Sequence, residues 1–154
     1  MNAIDVGETW DRLRAIRELD FEAVCRSPTR TGWIGSGRGI VHVEQLDPAT
    51  ILFHEKGSWT PKNGVELSFS NVYRWTADRD RRLIRLEHLR FGLERPVYLF
   101  DLVPLSEHVW ESAAPHICRD DRYSALMKYD QGAVRLSWTI TGPSKDEKIS
   151  YSYR

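Results

Sequence analysis

Hydrophobic and polar residues alternate with a period of two along most of the chain. The clearest alternation lies near the end, where the apolar positions of two successive segments are Val134, Leu136, Trp138, Ile140, Ile149, Tyr151 and Tyr153. Gly142-Pro143 interrupts the alternation, because proline lacks the donor that a strand ladder needs. The residues that follow, Ser144-Lys145-Asp146, suit a turn. The pattern predicts a hairpin with one dry face, whose final strand pairs with an earlier strand and closes the sheet.

Further strands are predicted upstream at regular intervals. Gly35, Gly37 and Gly39 alternate ahead of a β-branched run, which is typical of a sharply coiled first strand. A phosphate-binding loop would need a helix at this position instead. The next strands, separated by turn residues, are predicted over 51–59, 67–75, 83–91, 97–103, 108–111 and 116–127. Short connections predict an antiparallel meander, and about eight to ten such strands close into a barrel that holds one small ligand.

A different periodicity precedes the strands. Residues 8–19 place Trp10, Leu13 and Ile16 on one stripe, which predicts a short amphipathic helix. Such a helix is stable only when it packs against the rest of the protein. No linker or repeat divides the chain, so residues 1–154 are predicted to form a single domain.

The amino-acid composition argues against several classes of function. The chain has 22 basic and 22 acidic residues, so its charge gives no reason to expect binding to nucleic acid or to an anionic membrane. Two cysteines are too few for a disulfide scaffold. No signal peptide or membrane-spanning run is recognisable, so we expect a cytoplasmic protein. Homodimerisation is left open.

Several short motifs recur together in a known family. They are W-x3-R-x-I from Trp10, E-x-G from Glu55, Tyr73-Arg74-Trp75, Asp101-Leu102, H-x-C-x2-D-x-Y from His116, and W-x3-GPxKD from Trp138. Together they resemble a lipocalin-like (calycin-like) bacterial and fungal domain family of unassigned function. The resemblance implies a lipocalin-like barrel in which Trp10 closes one end and Arg14 or Arg154 packs over it. The sequence departs from the family at Val97-Tyr98, where a Phe-His pair is usual, so no role of that histidine is transferred.

His116 and Cys118 are the leading candidates for a site. They share a parity on the predicted strand and therefore project to one side of it. A polar pair inside an apolar barrel needs partners, because burying it alone costs several kcal/mol. Three interpretations stay open: a structural cluster with Asp121, Tyr123 or Asp101, a contact to a ligand, or a metal or haem site. The last would lack ligands, since zinc takes three or four; we predict no metal site and no cofactor.

The other candidates are aromatic or polar residues on the predicted strands. They are Tyr73, Arg74, Trp75, His88, Tyr98, Phe100, Tyr123 and Trp138. Tyr98 shares a parity with Phe100 and is expected to face inward with it. Such rings fill cores, and they also line pockets for flat molecules.

Three functions follow from these patterns. The first is binding of a small apolar or aromatic molecule inside the barrel, oriented by His116, Tyr98 and Arg74. An alternative is a small enzyme of the isomerase, cyclase or hydrolase type, with His116 as acid or base beside Tyr123 or Cys118. The third is a structural or interaction domain whose barrel is filled by its own side chains.

Overall fold

The computed structural model contains one helix and eleven strands in the residues that it describes. These are residues 6–25, 34–62, 64–114, 116–118, 120–130, 132–143 and 145–154. At residues 116 and 118 only the backbone is described. In chain order, the elements are α1 (Val6–Arg14), β1 (Glu18–Cys25), β2 (Gly35–Asp47), β3 (Thr50–Pro61), β4 (Leu67–Asp78), β5 (Leu83–His88), β6 (Val97–Ser106), β7 (Val109–Ser112), β8 (His116–Cys118), β9 (Asp121–Asp130), β10 (Ala133–Thr141) and β11 (Asp146–Tyr153). No helix in these ranges is long and apolar enough to cross a membrane.

The strands form a closed antiparallel barrel. Within the described ranges, neighbouring strands follow the order β10-β11-β1-β2-β3-β4-β5-β6-β7-β9, and a further pairing of β9 with β10 closes the ring of ten. β8 pairs with the first residues of β9, beyond the part of β9 that pairs with β7. The predicted mainly β fold, an antiparallel barrel of about eight to ten strands with a short helix, is confirmed.

The final hairpin forms as the sequence predicts. Trp138 lies opposite Ile149, and the turn is closed by a hydrogen bond from the Gly142 amide to the Lys145 carbonyl. β11 then pairs along its other edge with β1. The C-terminal strand is therefore held on both sides, and its alternate residues Tyr151 and Tyr153 are buried inside the barrel.

The helix covers one end of the barrel, which we call the proximal end. The Trp10 side chain is 1% exposed, and its Nε1 donates a 3.1 Å hydrogen bond to the carbonyl of Pro48 in the β2–β3 turn. Thr9 Oγ1 accepts a 3.0 Å hydrogen bond from Trp110 Nε1. Leu13 is also fully buried, so the predicted apolar stripe of α1 is the surface that packs on the barrel.

The arginines expected over Trp10 have other partners. Arg14 pairs with Asp11 within α1, and Arg154 Nη1 lies 2.8 Å from Asp20 Oδ2 on the barrel exterior. Arg12 instead places its guanidinium 5.1 Å from the centre of the Tyr129 ring. This end of the barrel is thus closed by Trp10 without a stacked arginine from either predicted position.

Two predicted element boundaries are wrong. The helix ends at Arg14 instead of residue 19, and Glu18–Cys25 forms β1, which the sequence interpretation missed. The predicted strand over 116–127 is a hairpin in which His116 lies opposite Tyr123 and Cys118 opposite Asp121. The chain reverses at Asp120, where consecutive acidic residues favour a turn. Residues 116–127 therefore do not alternate between the two faces of one continuous strand.

Candidate functional site

The barrel interior differs between its two halves. Near α1 the inward-facing side chains are fully buried, and Ile51, Ile84, Leu102, Trp110 and Met127 are each 0% exposed. Toward the opposite end several inward-facing residues are only partly buried; these include Phe21, Phe69, Asn71 and His88. We call this second region the distal interior. The connection over residues 26–33, which joins β1 to β2 at this end, lies outside the described residues.

An aromatic pair occupies one side of the distal interior. The rings of Phe21 on β1 and Phe69 on β4 meet edge to face with centroids 5.5 Å apart, although β2 and β3 lie between their strands. Gly37 makes this possible, because a Cβ at this position would overlap the Phe21 ring. The predicted glycine-rich strand therefore curves the sheet and leaves room for aromatic rings.

More aromatic residues continue this surface toward the middle of the barrel. Tyr73 stacks on His88 with ring centroids 4.7 Å apart and contacts Trp138 edge to face at 5.9 Å. Tyr151 lies 5.5 Å from Phe21 and stacks on Tyr153. Burial lowers the pKa of His88, with a smaller contribution from the Arg90 charge, and both effects favour the neutral imidazole.

Glu55 places a carboxyl group in the middle of this aromatic environment. Its side chain is 0% exposed, and Oε2 accepts a 2.8 Å hydrogen bond from the Tyr153 hydroxyl. Its other oxygen, Oε1, has no hydrogen-bond partner in the described part of the chain. Asn71 lies directly opposite Glu55 on β4, so both residues face the interior.

The burial of Glu55 changes its protonation. Desolvation raises its pKa from 4.5 to about 7, while the hydrogen bond from Tyr153 acts in the opposite direction. The Asn71 side chain, which lies near the carboxyl group but outside hydrogen-bonding geometry to Oε1, also lowers the pKa. Burial also raises the pKa of Tyr153, and the charge of Glu55 raises it further. The pKa of Tyr151 rises for the same two reasons, in the same order. The carboxyl group, which is surrounded by neutral rings, therefore changes charge near neutral pH.

The electrostatic character of the interior is acidic. Glu55 and Glu147 are the buried charged residues of the described ranges, at 0% and 7% exposure, and no lysine or arginine there is buried. Two indole nitrogens, Trp75 Nε1 and Trp138 Nε1, are also buried without a hydrogen-bond partner in those ranges. Unpartnered polar atoms are costly inside a protein, and each calls for an explanation such as a bound ligand or water.

Five of the sequence-predicted site residues lie inside the barrel. Tyr73, His88 and Trp138 border the distal interior, whereas Trp75 and Phe100 are 1% exposed within the core. Tyr123 lies opposite Ile140 near the distal end and is partly buried. The side chains of His116 and Cys118 lie outside the described residues, so their proposed roles stay predictions.

Two predicted residues lie on the exterior instead. Arg74 Nε donates a 2.9 Å hydrogen bond to Glu87 on the outer face of β4 and β5. Tyr98 was expected to share a face with Phe100, but the register shifts at Leu86–Glu87 and leaves Leu99 as an extra residue between them. Such a bulge reverses the parity of what lies beyond it. Tyr98 therefore contacts the Arg85 guanidinium, 5.4 Å from its ring centre, outside the barrel.

The two most specific sequence motifs meet at the distal rim. Asp121 of H-x-C-x2-D-x-Y lies 3.6 Å from Lys145 of GPxKD, measured from carboxylate oxygen to Nζ. A Cβ on Gly142 would overlap the same Asp121 carboxylate, so a larger residue at this position would displace the carboxylate. The motifs thus anchor the closing hairpin against β9. In the described ranges, no three His, Cys, Asp or Glu residues lie close enough to hold a metal ion.

A second concave surface lies on the outside of β10, β11, β1 and β2. This groove measures about 1440 Å³ and is lined mainly by serines and by charged residues of both signs. Arg154 and Asp20 pair across it. Acidic and basic residues both line it, and it contains no buried unpartnered atom in the described ranges. It is therefore a weaker candidate for a site than the interior.

Sequence interpretation missed the residues that define the distal interior: Phe21, Glu55, Phe69 and Asn71. A signal for Glu55 was present, because it shares the parity of Ile51 and Phe53 and therefore places a carboxyl group on the dry face of a strand. Phe21 was missed because its strand was not recognised. Asn71 gave the same kind of signal, because it shares the parity of Tyr73 and Trp75 and therefore places an amide on the dry face of β4.

The fold and this site define a closed antiparallel β-barrel with a helix at one end and an acidic, aromatic-lined interior toward the other. Comparison with known proteins identifies the family: the chain belongs to a family of unknown function (DUF6314), whose model matches residues 9–154. The expected membership in a domain family of unassigned function is thereby confirmed. No curated protein matches the sequence.

Two solved structures are similar over most of their length. One is described as EF1p2_mFAP2b bound to DFHBI, with 7% identity, a TM-score of 0.48 and coverage of 94% of both chains. The other is a redesigned beta barrel, mFAP1, bound to DFHBI, with 10% identity and a TM-score of 0.43 over 93% of this chain and 97% of that one.

Proposed function

We propose that this protein binds a small, flat aromatic molecule in the distal interior of its barrel. The observation that carries the proposal is the Glu55 carboxyl group, which is fully buried beside partly exposed rings and has one oxygen without a hydrogen-bond partner among the described residues. A ligand donor next to Oε1 would supply the missing hydrogen bond. Ligand sites commonly combine an apolar lining with a few polar groups of this kind.

Aromatic residues supply the surface for such a ligand. Phe21 and Phe69 present partly buried rings, while Tyr73, Tyr151 and Trp138 lie deeper. Rings of this type prefer offset or edge-to-face contacts, each worth about 0.5–1.5 kcal/mol beyond the buried area. A flat ligand would therefore gain affinity from stacking, and the few polar groups would orient it.

The proposal is tested by titrating the purified protein with a fluorescent naphthalene derivative and measuring dye emission. Saturable binding is expected, and Phe21→Ala should weaken it about three- to tenfold because it removes one ring contact. The matched control is Phe91→Ala, since Phe91 is 58% exposed on an external loop. Equal affinity in wild type and in Phe21→Ala, at a concentration where both are folded, would reject the site.

A further inference from the structure

We infer that the ligand of the distal interior is an organic cation, a protonated amine or amidine on an aromatic skeleton, whose N–H group donates to Glu55 Oε1. This inference rests on the proposed function and adds the charge of the ligand. It follows from the combination of a buried, half-partnered carboxyl group with a surrounding set of aromatic rings and no buried basic side chain in the described residues.

The electrostatics of the interior favour this charge. An anion would face Glu55 without any buried cation among the described residues to compensate it. A cation would form a charge-assisted hydrogen bond to Oε1, while Oε2 keeps its bond from Tyr153. The missing countercharge is thus supplied by the ligand.

The rings support the same ligand. The negative face of an aromatic ring attracts a cation, most strongly where water is excluded. Tyr73, Tyr151 and Tyr153 lie close enough to Glu55 for its charge to raise their pKa, in addition to burial, which is the larger cause for each. These phenols stay neutral at physiological pH and can therefore surround an ammonium group without competing for the proton.

Protonation of Glu55 should be linked to binding. Burial raises its pKa to about 7, so the carboxyl group is partly protonated in the empty protein near neutral pH. A cation binds the ionised form, and its binding should release a proton. The other titratable groups of the described residues that face this region are Cys25 on β1, Tyr73 on β4, His88 on β5, Tyr123 on β9, and Glu147, Tyr151 and Tyr153 on β11. Burial raises the pKa of Tyr73, Tyr151 and Tyr153 far above this range and lowers the pKa of His88.

The test uses three probes with one skeleton: 2-naphthylmethylamine, 2-naphthylmethanol and 2-naphthoate, measured by isothermal titration calorimetry at pH 8. The amine should bind at least about tenfold more tightly than the alcohol, and naphthoate should bind least, because a charge-assisted hydrogen bond exceeds a neutral one. In Glu55→Gln the preference for the amine should disappear, with the affinity of the alcohol changed by less than about threefold.

Glu147→Gln is the matched control, since it removes the other buried carboxyl group and should retain the preference for the amine. If Glu55→Gln fails to fold, the wild-type protein gives a second test. Its affinity for the amine should fall about tenfold per pH unit below the pKa of Glu55. Calorimetry in buffers of different ionisation enthalpy should also show that binding releases a proton. Equal binding of alcohol and amine, or loss of the preference in Glu147→Gln alone, would overturn the inference. If none of the three probes binds, the proposed function itself fails.

Discussion

The hydroxyl of Tyr153 donates a 2.8 Å hydrogen bond to Oε2 of Glu55 across the inside of the barrel. Tyr153 belongs to β11 and Glu55 to β3, and two strands, β1 and β2, lie between them in the sheet. The bond therefore links β11 to a strand three positions away in the ring, across the barrel interior. It also fixes Oε2 of a buried carboxyl group, whose Oε1 has no hydrogen-bond partner in the part of the chain that the structure describes.

The raised pKa of Glu55 predicts how stability depends on pH. Between 4.5 and about 7, the folded protein holds a proton on Glu55 that the unfolded chain has lost. Stability should therefore fall as pH rises through this window, by on the order of 3 kcal/mol for this group. Urea unfolding at pH 5 and pH 8 measures the change, with Glu55→Gln as the reference that lacks the group. An identical pH profile in both proteins would show that Glu55 has an ordinary pKa.

Trp10 should be essential for stability because it closes the proximal end. Trp10→Ala removes a ring that is 1% exposed and also leaves the Pro48 carbonyl without its indole donor. The expected loss is about 3–5 kcal/mol in the free energy of unfolding. Leu46→Ala is a suitable control, since Leu46 is 46% exposed and should change stability by less than about 0.5 kcal/mol. A loss below about 1 kcal/mol for Trp10→Ala would mean that the helix is peripheral.

Glycine substitutions should differ in cost according to what a new Cβ meets. At Gly57 it would collide with the backbone carbonyl of Arg38 on the paired strand, whereas at Gly142 it would meet the movable carboxylate of Asp121. Gly57→Ala should therefore cost about 3 kcal/mol or more and Gly142→Ala about 1 kcal/mol, since only the latter can relax by moving a side chain. Thermal unfolding of both variants gives the order. The reverse order would contradict the described pairing of β2 with β3.

The closing strand should be indispensable. Deleting residues 148–154 removes most of β11 and exposes the edges of β1 and β10, which otherwise pair with it. Unpaired strand edges promote aggregation, so the truncated protein should elute from size-exclusion chromatography as aggregates. The matched control is Lys148→Ala in the full chain, which keeps both pairings. A monomeric truncation with cooperative unfolding would be incompatible with a barrel closed by β11.

The sequence was informative where residues alternate strictly and short turns intervene. The hairpin of Trp138 and Tyr151 could be predicted because one apolar face and a Gly-Pro turn leave one register. β1 could not be separated from the preceding helix, since Leu19 continues the helical stripe of Trp10 and Ile16 as well as starting a strand. The outward position of Tyr98 depends on a bulge at Leu99. The alternation of apolar and polar residues in the sequence does not show where such a bulge lies.

The site was less predictable than the fold. Tyr73, His88 and Trp138 were found because aromatic and histidine side chains on inward faces are conspicuous in a sequence. Glu55 becomes a candidate site residue because of its hydrogen bond from Tyr153, which lies 98 residues away along the chain. Such long-range contacts follow from how the strands close into a barrel, and no local pattern encodes them.

The most direct measurement of the central claim is a ¹H–¹⁵N NMR titration with 2-naphthylmethylamine that follows the indole N–H signals, each assigned by a Trp→Phe variant. The signal of Trp138, which borders the distal interior and has no hydrogen-bond partner in the described ranges, should shift saturably. The signals of Trp10 and Trp110 should stay in place, because their N–H groups are bound to Pro48 and Thr9 at the proximal end. An unmoved Trp138 signal at saturating probe, or shifts confined to Trp10 and Trp110, would contradict binding in the distal interior.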